Sequence, residues 1–205
     1  MSVESVMSRI AEINGMLAPP TVEAPPPPPA TTFGTALNQA TATAGAPAAA
    51  PLGWNQAAGG SPGQRMLAAA QAEVGQAEQP PGSNDSPRIA EYRSATAGGG
   101  VGPWCAYFVS WAAKQAGAPV GEQGQGFASV SALYAWGERT GRALPAGSTP
   151  QPGDIIVWGG RHIGMVENVL PDGSIQTIEG NSSDRVSRRT YGPDGGGATG
   201  YVRLG

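Results

Sequence analysis

The sequence predicts an α+β domain behind a low-complexity leader, and three observations carry that expectation. Apolar residues recur at helical spacing up to about residue 140, and short apolar runs bounded by turn clusters follow from residue 150. Helices followed by a run of strands imply an antiparallel meander rather than βαβ units. Composition also changes near residue 64. Residues 1–63 hold half of the 20 prolines but, among the aromatics, only Phe33 and Trp54. Residues 64–205 carry the other aromatics and most of the Ile and Val, enough for one core. The expected division is therefore a leader over 1–63 and a domain over 64–205.

In the leader, Val3, Val6, Met7, Ile10, Ile13 and Leu17 recur at spacings of three and four, the pattern of a short amphipathic helix ended by Pro19-Pro20. Such a length is marginal alone, so the helix would either fold against a partner or be a frayed helix with no role. Residues 18–60 are dominated by Ala, Pro and Thr, with an extended polyproline run at 25–29, and cannot bury enough surface to order themselves. Phe33 and Leu37 form one apolar i,i+4 pair within that stretch.

In the domain, Met66, Leu67, Ala70, Val74 and Ala77 make one helical face closed by Gln79-Pro80-Pro81-Gly82. Ser86-Pro87 opens a second short helix carrying Ile89 and Tyr92. After a glycine loop at 96–102, residues 104–115 read as a strongly apolar helix stopped at Gly117, and 128–140 as a fourth. Strands are expected at 155–158, at 161–170 with an interruption at Gly164, and at 174–179 behind a Pro171-Asp172-Gly173 turn. Two more short strands are expected at 186–191 and 201–204.

The net charge of −3, with 12 basic and 15 acidic residues dispersed along the chain, argues against a phosphate-binding surface and so against nucleic acid. No apolar run reaches the length of a membrane span, and Glu4, Arg9 and Glu12 break the stretch that a signal peptide would need. One Cys and one His exclude an internal disulfide and a Cys/His zinc cage.

That one Cys and one His are the residues best suited to chemistry. Cys105 follows Gly98-Gly99-Gly100-Val101-Gly102-Pro103-Trp104 and stands in the first turn of the expected third helix. Unpaired backbone N–H groups there stabilise a thiolate and can donate to an oxyanion; the alternative is a small buried hydrophobe. His162 is the sole histidine, so in a cysteine hydrolase it must be the base. Gly160 and Gly164 beside it would let a substrate backbone or a facing side chain approach closely. Alternation places Ile175, Thr177 and Glu179 on one face of their strand. A carboxylate at Glu179 could accept the imidazole N–H and fix its tautomer; Asn181 could do the same or polarise the substrate. Arg185, Arg188 and Arg189 are the densest basic cluster, readable as a grip on substrate carboxylates or as solvated charges on an edge strand.

Four motifs together resemble one family. Trp104-Cys105-Ala106-Tyr107-Phe108-Val109-Ser110-Trp111, Pro152-Gly153-Asp154-Ile155-Ile156-Val157-Trp158, His162-Ile163-Gly164-Met165-Val166-Glu167 and Ile178-Glu179-Gly180-Asn181 look like CHAP domains, the cysteine, histidine-dependent amidohydrolases/peptidases, in the family's order. The resemblance spans about residues 64–205. It implies a papain-like fold, with the nucleophile on a helix packed against an antiparallel sheet. It also implies Cys105 as nucleophile, His162 as base, Glu179 as the group orienting the imidazole, and Asn181 in an assisting role. Trp104, beside the nucleophile, would wall the cleft or serve as a core or lid aromatic. Residues 75–84 are similar to the opening segment of one branch, which makes Asn84 a second candidate substrate contact. The implied activity is cleavage of peptidoglycan, at the N-acetylmuramoyl–L-alanine amide or within stem and cross-bridge peptides. No Asp-rich calcium loop is visible, so neither metal nor cofactor is expected. A scaffold that keeps the fold without turnover is the rival class.

Such a substrate implies action outside the membrane without a Sec signal. Residues 1–40 resemble the leaders of flagellar rod-associated proteins and hydrolases, which implies an export-channel or basal-body partner. A phage lysin released by a holin is the alternative.

Overall fold

The computed structural model describes residues 60–205. The expected amphipathic leader helix, the polyproline run and the Phe33/Leu37 pair lie outside the described residues. Among the described residues are the helices α1 (Pro62–Gln71), α2 (Pro87–Ser94), α3 (Cys105–Gln115) and α4 (Val130–Arg139). They are followed by the strands β1 (Ala143–Pro145), β2 (Ile155–Trp158), β3 (His162–Val169), β4 (Ile175–Glu179), β5 (Ser187–Tyr191) and β6 (Gly200–Val202). The strands form one antiparallel sheet in the order β1-β6-β2-β3-β4-β5. The fold class is α+β. None of the described helices is long and apolar enough to cross a membrane.

Local chemistry sets the helix starts. Ser61 caps α1 in a reciprocal box with Gln64, and Ser86 and Ser129 accept from Ile89 N and Ala132 N at the starts of α2 and α4. Pro62 and Pro87 supply a preset φ in the first turns. α3 differs: its N-cap is Trp104, with no side-chain cap.

Three sequence expectations are corrected. α1 ends at Gln71 instead of running toward Ala77, because residues beyond it pair with a distant segment. Gly75 N and Glu78 N donate to Val186 O and Asp184 O, both at 2.9 Å, and Val186 N donates to Gln76 O at 2.8 Å. Gly164 does not interrupt β3; it pairs with Ile156 inside the ladder, and the irregularity falls between Val166 and Asn168. The three-residue β1, paired with β6, was not anticipated.

The sheet carries a cluster on each face. Ile155, Val157, Ile163, Met165, Ile178 and Val202 pack with the helices, while Ile156, Trp158, Val166, Ile175 and Tyr201 form a second cluster. This is the period-two alternation of a sheet covered on both sides. α3 is the central helix, buried continuously from Cys105 to Ala113 and packed on α1, α2 and β3. Phe108, Trp104 and Trp111 surround Tyr92 at centroid distances of 5.1, 5.8 and 5.0 Å. Gly180, just past β4, lets α3 lie against the sheet: a Cβ there would meet Phe108 Cβ at 2.6 Å. That close approach brings the first turn of α3 to the end of β4, where the candidate residues lie.

Candidate active site

Cys105, His162 and Glu179 come together from three elements: the start of α3, the start of β3 and the end of β4. Glu179 lies on the face of Ile175 and Thr177, as alternation required, and is only 1% exposed. Its position is therefore fully buried rather than a half-solvated strand end. Gly164 explains how its side chain reaches along the sheet. A Cβ at position 164 would meet Glu179 Cγ at 2.7 Å, so the facing side chain that glycine admits is Glu179.

The buried carboxylate has each of its oxygens engaged. Glu179 Oε2 lies 2.8 Å from His162 Nε2. Glu179 Oε1 accepts from Thr177 Oγ1 at 2.6 Å and from Tyr191 Oη at 2.9 Å. A buried charge so supplied with donors is stable. Burial pushes the Glu179 carboxyl up, but the hydrogen bonds from His162, Thr177 and Tyr191 and the imidazole charge outweigh it, leaving the group below its ordinary value. The cost appears on Tyr191, whose phenol is pushed up to about 12 by burial and by the carboxylate beside it.

A carboxylate only accepts, so the Nε2 of His162 carries hydrogen and Nδ1 is the ring nitrogen left to face a thiol. Burial by itself would lower this imidazole. The hydrogen bonds and charges of Cys105 and Glu179 reverse that and raise it to about 9. Trp158 stacks on the ring at 5.5 Å between centroids and 23° between planes, and its indole N–H donates to Gly195 O at 2.7 Å. The imidazole is thus held in orientation by a carboxylate at one edge and an aromatic face. Cys105 itself is 6% exposed and the His162 side chain 21%, so the imidazole is the more solvent-accessible of the two.

The remaining candidates make no hydrogen bond with His162. Asn181, with φ +54°, donates from Nδ2 to Asn84 Oδ1 at 3.1 Å. It is part of a pair with Asn84 and makes no hydrogen bond with His162, so the imidazole partner is Glu179. Trp104 does not wall the cleft. It is fully buried, and its indole N–H donates to Glu78 Oε1 at 2.8 Å, a core position that satisfies the ring's one polar atom. Arg188, on the exposed edge strand β5, donates to both oxygens of Glu167 on β3, and Arg189 donates to the hydroxyls of Ser182 and Ser183. Sequence reasoning missed Tyr191, Trp158 and Glu78 as parts of this region. Trp158 stood in a quoted motif, and only its register opposite His162 identifies its role.

Residues 96–181 match the family model of the CHAP domain. The match runs from the glycine loop before α3 to Asn181. No curated protein and no solved structure matched the chain.

Proposed function

This chain carries a CHAP domain, which supports peptidoglycan hydrolase or amidase function in general, and we propose that it is a cysteine hydrolase cleaving an amide bond of peptidoglycan with Cys105 as nucleophile. The observation that carries the reading is the imidazole of His162 hydrogen-bonded to the buried carboxylate of Glu179 and held in its charged form partly by the Cys105 thiol at the head of α3.

The chemistry follows from those contacts. His162 takes the thiol proton at Nδ1, and Cys105 Sγ attacks the amide carbonyl carbon. Charge developing on the carbonyl oxygen meets the backbone N–H groups of the first turn of α3, which have no intrahelical partner. The C–N bond breaks as the imidazolium returns its proton to the departing amine, leaving a thioester on Cys105. Water then attacks the thioester with His162 as base, releasing the carboxylic acid and restoring the thiol. Glu179 keeps Nε2 protonated throughout and stabilises the imidazolium. Asn84 and Asn181 are assigned to the substrate side of this centre.

Digestion of purified peptidoglycan, with mass spectrometry of the products, tests the reading. The expected result is new amino termini, at L-alanine for an amidase or within stem or cross-bridge peptides for an endopeptidase. Products carrying new reducing sugar ends instead would remove it.

Residues 1–63 are assigned to delivery, on the leader-like sequence of residues 1–40. A chain starting at Ser61 is expected to cleave walls like the full chain while losing export through the flagellar channel in a secretion assay. Export that survives the truncation defeats this assignment.

A further inference from the structure

Glu78 is a buried carboxylate, 3% exposed, that the proposed chemistry does not use. Oε1 accepts from Trp104 Nε1 and Oε2 from the Asn84 backbone N–H, each at 2.8 Å. Among the described ion pairs no Arg or Lys reaches it. Burying a carboxylate on neutral donors alone is costly, and a structural anchor for an indole could be a backbone carbonyl, as Gly195 O is for Trp158.

The position of Glu78 gives that cost a purpose. Its backbone N–H is bonded to Asp184 O at 2.9 Å, which ties it to the segment after Asn181. Through Asn84 N it sets the loop whose Asn84 Oδ1 receives Asn181 Nδ2. Through Trp104 it holds the residue immediately before the nucleophile. The other described helices are capped by Ser61, Ser86 and Ser129, whereas α3 has no side-chain cap. The Trp104 indole on Glu78 is the hydrogen bond that fixes the residue at the head of α3.

We propose that Glu78 is a positioning residue, whose two oxygens lock the start of α3, and so Cys105, to the Asn84–Asn181 pair on the substrate side. The proposal rests on the cysteine-hydrolase reading of the site, and its test keeps the two apart. Glu78→Gln cannot replace two acceptors: its NH₂ must face either the Trp104 indole N–H or the Asn84 N–H, donor against donor.

The rate of Cys105 alkylation by iodoacetamide, measured on folded protein well below its melting temperature, needs no peptidoglycan. It is expected to fall about tenfold or more in Glu78→Gln, since small misplacements of a reacting group carry that penalty. On soluble peptidoglycan fragments kcat, referred to the folded fraction measured by circular dichroism, is expected to fall by a similar factor with KM little changed. Parental alkylation and kcat in folded Glu78→Gln overturn the proposal. Where circular dichroism shows Glu78→Gln unfolded, Trp104→Phe carries the test, because it removes the indole donor and keeps a ring. The same fall is then expected, and parental rates overturn the proposal. Failure of the parent to cleave any fragment counts against the hydrolase reading, while the alkylation arm still decides the role of Glu78.

Discussion

Cys105→Ala is expected to abolish peptidoglycan cleavage, a loss of several powers of ten of the kind that follows removal of a nucleophile acting with a paired base. No other thiol exists in the chain to substitute for it. The fold should survive, because Cys105 is a small buried side chain at the edge of the core and alanine keeps its Cβ while removing only the sulfur. Turbidity clearance of purified cell walls, beside a circular dichroism spectrum of the variant, measures both halves of the expectation. Clearance near the parental rate would end the nucleophile assignment.

Glu179→Gln carries the second largest expected effect, a fall of about two to four powers of ten with a residue of activity above that of Cys105→Ala. The imidazole can still find the productive tautomer part of the time when its orienter is weakened. The pH dependence adds a sign. His162 is held above its ordinary value, so its charged form stabilises the fold fully below about pH 6.5. That contribution is lost as pH rises through about 9. Glu179 is held below its ordinary value, so its contribution is present above that value and lost as pH falls. Activity that needs the imidazolium should therefore decline on the alkaline side near pH 9, and Glu179→Gln should move that decline to lower pH. Parental activity and an unmoved alkaline decline in Glu179→Gln would transfer the orienting role to another group.

Much of this site could be read along the chain because each part has a local signature. The apolar run after the glycine loop makes α3, and its position puts Cys105 at a helix head. The uninterrupted Ile155-Ile156-Val157-Trp158 makes a strand buried at each residue, and the alternation from Ser174 puts Glu179 on the face of Thr177. What escaped depends on pairings between distant residues. α1 was read too long because Val74 and Ala77 continue its apolar spacing, while Gly75, Gln76 and Glu78 bond instead to residues 184 and 186. β1 has three residues, too few for any period, and exists because β6 lies beside it. For Trp104 its place beside Cys105 leaves both a cleft wall and a core aromatic open, and the choice falls to the core through a partner, Glu78, that lies 26 residues upstream. Gly164 showed the inverse: the need for a close approach was legible, but only the register of β3 against β4 names Glu179 as what approaches.

The most direct test of the proposed catalytic centre is an NMR titration of the His162 imidazole, whose signals are unambiguous because the chain has one histidine. An apparent pKa of about 9 is expected in the parent, with lower values in Cys105→Ala and in Glu179→Gln, since each removes a partner that favours the charged ring. A parent imidazole titrating near the ordinary histidine value of about 6.5, and unmoved by either substitution, would contradict the Cys105–His162–Glu179 assignment.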